Sequence, residues 1–129
     1  MELIKRFEKT AAHFKGRIAI TDNDGDHTFS ELRERALSIG LELERRLNGK
    51  INTPVLICLD EGFDYIAAII GVLYSGNFYV PIVRGFPGPM MQQIIHSIDP
   101  EFIITNLNNS QALIKNGAKS TALFLLEDI

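Results

Sequence analysis

Cysteine is nearly missing from this chain: there is one in 129 residues, so no internal disulfide can form. That residue, Cys58, sits in the apolar run Val55-Leu-Ile-Cys-Leu59 and reads as a buried core thiol, which suits a reducing compartment. Long hydrophobic runs are absent too. The longest, Tyr65 to Tyr74, is about half of the ~20 residues that a spanning helix needs. Positive charge is not in surplus, since the net charge is −3, and this argues against a nucleic-acid surface. The start of the chain, Met1-Glu-Leu-Ile-Lys-Arg-Phe-Glu-Lys9, alternates charge with hydrophobe, unlike a secretory signal. The expectation is a cytoplasmic protein with neither nucleic acid nor membrane as a partner. No repeat, linker or low-complexity stretch interrupts the sequence, so residues 1–129 read as one unit.

What is present is a regular alternation of helical and strand patterns. Leu3, Ile4, Phe7, Ala11 and Phe14 recur at spacings of three and four and predict a first helix, ended by Lys15-Gly16. Arg17 to Thr21 and His27 to Phe29 flank the turn Asp22-Asn-Asp-Gly-Asp26, a hairpin signal. Ser30 reads as the N-cap of a long helix with Leu32, Ala36, Ile39, Leu43 and Leu47 as its apolar stripe, stopped at Asn48-Gly49. Val55 to Leu59 is a strand. A third helix follows, with Phe63, Ile66, Ala67, Ile70 and Leu73 inward and Gly76 as its C-cap, before a short buried strand from Phe78 to Ile82. A loop from Val83 to Pro89 leads to a helix over Met90 to Ser97 with Met91, Ile94 and Ile95 inward, broken at Asp99-Pro100. The strand Phe102 to Thr105, a small helix from Asn109 to Asn116 and a last strand from Thr121 to Leu126 complete the pattern. The apolar strands are continuous rather than alternating, which predicts an α/β fold: a parallel-rich sheet flanked by helices, with a small N-terminal β-hairpin.

Several patterns invite a functional reading and fail on geometry. Asp22 to Asp26 resembles a calcium loop, but its glycine falls at the fourth position and Arg33 occupies the twelfth, so it reads as a turn. Asp60 lies at a strand end, where open α/β sheets gather functional groups. Neither Thr105-Asn106 nor Glu127-Asp128 adds the lysine that a phosphoacceptor site requires, and Asp60 and Glu61 read as favourable charges at a helix N-terminus. Gly85-Phe-Pro-Gly88 precedes a helix and physically admits a phosphate there. It has no Lys-Ser/Thr pair and no third glycine, and Pro89 in a first helical turn accounts for it equally well. His13, His27 and His96 have no partner at metal-ligand spacing, and Ser30, Ser75, Ser97 and Ser110 lie outside any nucleophile elbow. No catalytic, cofactor-binding or metal-binding residue is assigned.

Five segments, in order, carry a family resemblance over essentially the whole chain. Thr28-Phe-Ser-Glu-Leu32 resembles the Thr-Tyr-x-Glu-Leu element of the adenylate-forming superfamily, which comprises acyl-CoA synthetases, nonribosomal-peptide adenylation domains and luciferases. Pro54-Val-Leu-Ile-Cys-Leu59 stands where that family has its next strand, and Phe63 to Gly76 is similar to the helix that follows. Val72-Leu-Tyr-Ser-Gly-Asn-Phe-Tyr-Val-Pro-Ile82 resembles a core motif, and Asp99-Pro-Glu-Phe-Ile-Ile-Thr105 continues the order. Val83-Arg84-Gly85 and Met90-Met91 depart from the pattern, where relatives carry an acidic residue or Tyr-Pro and an arginine. Leu73-Tyr74-Ser75-Gly76 leans toward fatty-acyl-AMP ligases and Tyr79-Val80-Pro81 toward amino-acid-activating members, so both subfamilies stay open.

The resemblance implies the N-terminal subdomain of the adenylate-forming ligase fold. Its chemistry would be attack of a carboxylate on the α-phosphate of ATP, giving acyl-AMP, followed by transfer to a thiol of CoA or a carrier protein. In the family the phosphate loop and the catalytic lysine follow the segments matched here, and ATP and Mg²⁺ belong with them. No catalytic residue is therefore carried over, and residues 1–129 are expected to be inactive alone. The expected partner is the remainder of the ligase or a complementary chain, with a homodimer through exposed apolar surface as another possibility. A different class, a free-standing interaction module that completes or regulates a split synthetase, is the alternative.

Overall fold

The computed structural model describes residues 2–83 and 85–129, so the departure noted at Arg84 lies outside the described residues. Helix α1 (Glu2–His13) is followed by the strands β1 (Ile18–Asp22) and β2 (Gly25–Thr28), which pair antiparallel. Then come α2 (Phe29–Arg46), β3 (Pro54–Ile57), α3 (Phe63–Tyr74), β4 (Phe78–Pro81), α4 (Gly88–Ile98), β5 (Ile103–Thr105), α5 (Leu107–Lys115) and β6 (Leu123–Leu125). Single 3₁₀ turns bracket β6. The last four strands form one parallel sheet in the order β4-β3-β5-β6.

The continuous apolar strands are explained by burial on both faces. Val55, Ile57, Ile104 and Phe124 point to one side and pack with Ile39, Leu43 and Ala68 of α2 and α3. Leu56, Cys58 and Ile103 point to the other and meet Met91 and Ile95 of α4 and Leu113 of α5. Each such aliphatic side chain removed from water contributes about 1.5–3 kcal/mol. The whole predicted stripe of α2, from Leu32 to Leu47, is buried.

Four expectations need correction. The N-cap of α2 is Thr28, not Ser30. The Thr28 hydroxyl accepts from the Glu31 amide (3.1 Å) while the Glu31 carboxylate accepts from the Thr28 amide (2.9 Å), a reciprocal box that fixes the helix start two residues earlier. On α3 the predicted Ala67 is buried and Phe63 and Ile70 pack against the core, but the buried face also takes in Ala68, Gly71 and Val72, whereas Ile66 is exposed. The reason is a close crossing with α2: a Cβ at Gly71 would lie 2.9 Å from the Ala36 carbonyl oxygen, so small residues rather than large ones face the neighbour. Leu3 of α1 is exposed, only Ala11 of that helix being buried. Lastly, β4 is an edge strand with Phe78 and Tyr79 exposed, not a buried one. The Phe78 and Ile82 amides donate inward to Thr53 and Ile57, and Pro81 has no amide for the outer side, which limits pairing along that edge.

Gly76 lies one position beyond the C-cap of α3, which is Ser75, with φ 81°. In the hairpin the positive φ (119°) belongs to Gly25, so Asn23-Asp24 make the turn and Gly25 begins β2.

Three helices are tied together by a polar cluster. Arg33 Nε of α2 donates to both carboxylate oxygens of Glu8 on α1, each at 3.0 Å, and the Tyr74 hydroxyl of α3 donates to the same carboxylate. The phenol's hydrogen bond, with the guanidinium adding to it, holds Glu8 below the usual carboxylate range.

Candidate functional site

In a sheet ordered β4-β3-β5-β6 the chain turns from one side to the other between β3 and β5. The crevice beyond the C-terminal ends of those two strands is where open α/β sheets receive ligands. Here that end carries Cys58, Leu59 and Asp60 after β3, Asn106 after β5, and Leu126 and Glu127 after β6. The exposed groove between them, about 440 Å³, is lined by Asp22, His27, Arg35, Asp60, Asp64 and Glu127 among others.

Most of these groups already have structural duties. The fully buried Thr105 hydroxyl donates to the Cys58 carbonyl at 2.9 Å, and the Asn109 side-chain amide reaches it at 3.4 Å. Asp22 Oδ2 accepts from the Phe63 amide (2.9 Å), so the first turn of α3 is capped by a hairpin residue; Oδ1 accepts from the Asp24 amide (3.0 Å) and meets His27 Nε2 (3.1 Å). The Phe63 amide, with His27 second, holds the Asp22 carboxyl below its ordinary range. The His27 ring stacks on Phe63 at 4.2 Å. Asn106 caps α5 by accepting from the Asn109 amide (2.9 Å), and Glu127 accepts from the Leu107 amide (3.0 Å). Arg35 donates to Asp64 and to the carbonyls of Leu126 and Ile129, each at 3.3 Å.

The open end is therefore acid-rich, and the Phe63 amide at the start of α3 and the Leu107 and Asn109 amides at the start of α5 donate to the chain's own oxygens. Among the described residues no three His, Cys, Asp or Glu side chains are placed to hold a metal ion.

Of the residues weighed from sequence, Asp60 and Glu61 do precede α3, and His27 joins Asp22 at the same end. Gly85 to Gly88 does not join them. Gly88 packs beside Asn116, at the opposite end of α5 from Asn106. Cys58 is buried, and burial, with Asp60 second, pushes its thiol up to about 11. The role of Asp22 was missed because its partner lies 41 residues away; only the acidic turn itself was visible.

A second groove, about 760 Å³, opens on the outer side of the same end, beside α3 and the segment after β4. Its floor is Leu59 and Ile82, both buried, and its exposed lip includes Ile66 and Val83. No helix among the described residues is long and apolar enough to cross a membrane.

Comparison with known proteins agrees with this architecture. Polyketide synthase PksN of Bacillus subtilis (strain 168) is 28% identical over 102 residues, covering 79% of this chain and 2% of that protein. Bacitracin synthase 1 of Bacillus licheniformis is 30% identical over 122 residues, covering 95% of this chain and again 2% of the relative. The chain thus spans about 2% of the length of these curated relatives. Among solved structures, the nonribosomal peptide synthetase FmoA3 with α-methyl-L-serine-AMP bound superimposes with a TM-score of 0.85 and 21% identity. It covers 97% of this chain and 14% of its own. The profile of the AMP-binding enzymes matches residues 7–127, so this chain belongs to that family, the adenylate-forming enzymes.

Proposed function

We propose that residues 1–129 form the N-terminal scaffold subdomain of an enzyme that activates a carboxylic acid with ATP as an acyl adenylate. In this reading the subdomain adenylates nothing by itself. The observation that carries the reading is the match to AMP-binding enzymes over residues 7–127, in a fold whose open end uses its own oxygens to occupy helix amides. An acidic crevice repels a triphosphate, so ATP, with the Mg²⁺ that accompanies its phosphates, and the thiol acceptor are assigned to complementary polypeptide, continuous or separate. A cytoplasmic location accompanies this assignment.

The test is ATP–pyrophosphate exchange over a panel of fatty and amino acids. The chain alone is expected to give none, and the chain combined with the remainder of an adenylate-forming domain is expected to give exchange. Exchange by the isolated chain would overturn the reading.

The exposed Phe78, Tyr79 and Val83 favour a second reading, an interaction module that regulates an intact synthetase. Adding the chain to a complete relative separates the two, since a regulator changes that enzyme's rate and a scaffold subdomain does not.

A further inference from the structure

Helix α1 is attached differently from the two helices it packs on. It buries one residue, Ala11, whereas α2 buries Leu32, Ala36, Ile39, Gly40 and Leu43 and α3 buries Ala67, Ala68, Gly71 and Val72. Phe7 adds a half-buried ring, set edge-on to Tyr74 with the centroids 6.3 Å apart. Among the described residues, Glu8 is the only side chain of α1 that hydrogen-bonds to another element, taking Arg33 Nε on both oxygens (3.0 Å each) and the Tyr74 hydroxyl. The other polar pair of the helix, Arg6 with Glu2, lies within it. The chain beyond α1 is fastened separately. The Ser30 amide donates to the Lys15 carbonyl and the Phe29 amide to the Arg17 carbonyl, each at 3.0 Å. Residues from Lys15 onward are thus held to the start of α2 whether or not α1 is in place, and a helix of 12 residues has little stability once it loses its neighbours.

We propose that α1 is a hinged strap over the α2–α3 pair, latched by the Glu8 carboxylate, which opens and melts as a unit while the rest of the fold stays closed. The hinge lies at Phe14 to Gly16, where a side chain on Gly16 would meet nothing within 4 Å. The groups that face Glu8 are Arg33 from α2 and Tyr74 from α3, and both are donors that only an ionised carboxylate satisfies together. Burial first, then the bond to Glu8, holds the Tyr74 phenol above its ordinary range, so it stays a donor at neutral pH. Glu8 itself is held below the carboxylate range, with the Tyr74 bond as the largest cause. The latch is therefore fully engaged above the ordinary carboxylate pKa and is released as pH falls through the lower, folded value. Opening turns the seat of Phe7, including the Tyr74 ring, into exposed apolar surface on α3.

The test is native-state hydrogen exchange, read amide by amide on ¹⁵N-labelled chain and expressed as protection factors. At neutral pH the helical amides from Arg6 to Phe14 are expected to share one protection level, below that of Ile39 in α2 and Leu56 in β3. Glu8→Ala should lower the α1 level by about tenfold, although alanine is the better helix former, and should leave Ile39 and Leu56 unchanged. Tyr74→Phe should lower the α1 level by about threefold alone and by nothing more when added to Glu8→Ala, because the latch is then already open. As pH falls, protection of α1 in the wild-type chain should drop toward that of Glu8→Ala, whose own level should hold steady. Protection of α1 equal to that of α2, no change in Glu8→Ala, equal losses in α1 and α2, or additive effects of the two substitutions would each overturn the proposal.

Discussion

At the scale of the residue, burial decides what the lone thiol does. Cys58 is 6% exposed, and burial above all, with the Asp60 charge second, pushes it up to about 11. The thiolate that reacts with alkylating reagents is thus scarce at neutral pH, so iodoacetamide should label the native chain far more slowly than the unfolded one. Mass spectrometry after timed labelling checks this; equal rates would mean that the site is open to solvent. Carboxylates make the opposite case. Glu42 accepts from Arg45 and from Arg46 (3.1 Å), and those hydrogen bonds, Arg45 first, bring its pKa down from 4.5 to about 2. Glu8 is held low by Tyr74 and then Arg33. A depressed folded-state pKa gives stability that is present above the unfolded value and is lost as pH falls through the folded one. Denaturation midpoints should therefore fall between about pH 4.5 and pH 2, and Glu42→Gln should flatten part of that decline.

At the scale of the element, backbone contact between helices matters more than side-chain bulk. The crossing of α2 and α3 is set by Gly40 and Gly71. A Cβ on Gly40 would lie 2.9 Å from the Gly71 carbonyl oxygen, and one on Gly71 would lie 2.9 Å from both the Ala36 carbonyl oxygen and the Ile39 Cβ. Gly71→Ala should then cost about 1–3 kcal/mol despite the better helix propensity of alanine. Urea unfolding measures it, and a stabilised variant would show that the helices separate freely. Thr28→Ala removes the reciprocal cap of α2 and should cost about 1 kcal/mol, more than Ser30→Ala, in the same assay. These two sites also mark where sequence reading succeeds and fails. The stripe from Leu32 to Leu47 was legible because one periodic face meets one core. The inward face of α3 was legible only in part, through Phe63, Ala67 and Ile70, because in Phe63-Asp-Tyr-Ile-Ala-Ala-Ile-Ile-Gly-Val-Leu-Tyr74 nearly every position is apolar. Only the approach of α2 selects Ala68 and Gly71 over Ile66. Thr28 against Ser30 was a choice between two good caps, settled by the reach of Glu31.

At the scale of the whole molecule, the parallel sheet was legible from its unbroken apolar strands, and the family from five segments in order. The exposed position of β4 was not, because Phe78-Tyr-Val-Pro81 has the same composition as an inner strand and only the strand order reveals an edge. Of the open end, only Asp60 and Glu61 before a helix and the acidic turn at Asp22 were legible. Its acid-rich character and the cap from Asp22 depend on pairings 41 residues apart. Phe124 belongs to this scale as well. It is fully buried, it packs in the cluster shared by α2, α3 and three strands, and the Arg46 guanidinium lies 4.5 Å over its ring. Phe124→Ala should cost about 3–5 kcal/mol, read from chemical denaturation. Its place in the chain has a kinetic meaning. A ribosome adding about 5–20 residues per second makes the hairpin and the first helices seconds before it makes β6. Until then, the side chains that later surround Phe124 have no lid. Nascent chains arrested before that strand should be cut readily by protease, and resistance should arrive in one late step rather than build up helix by helix.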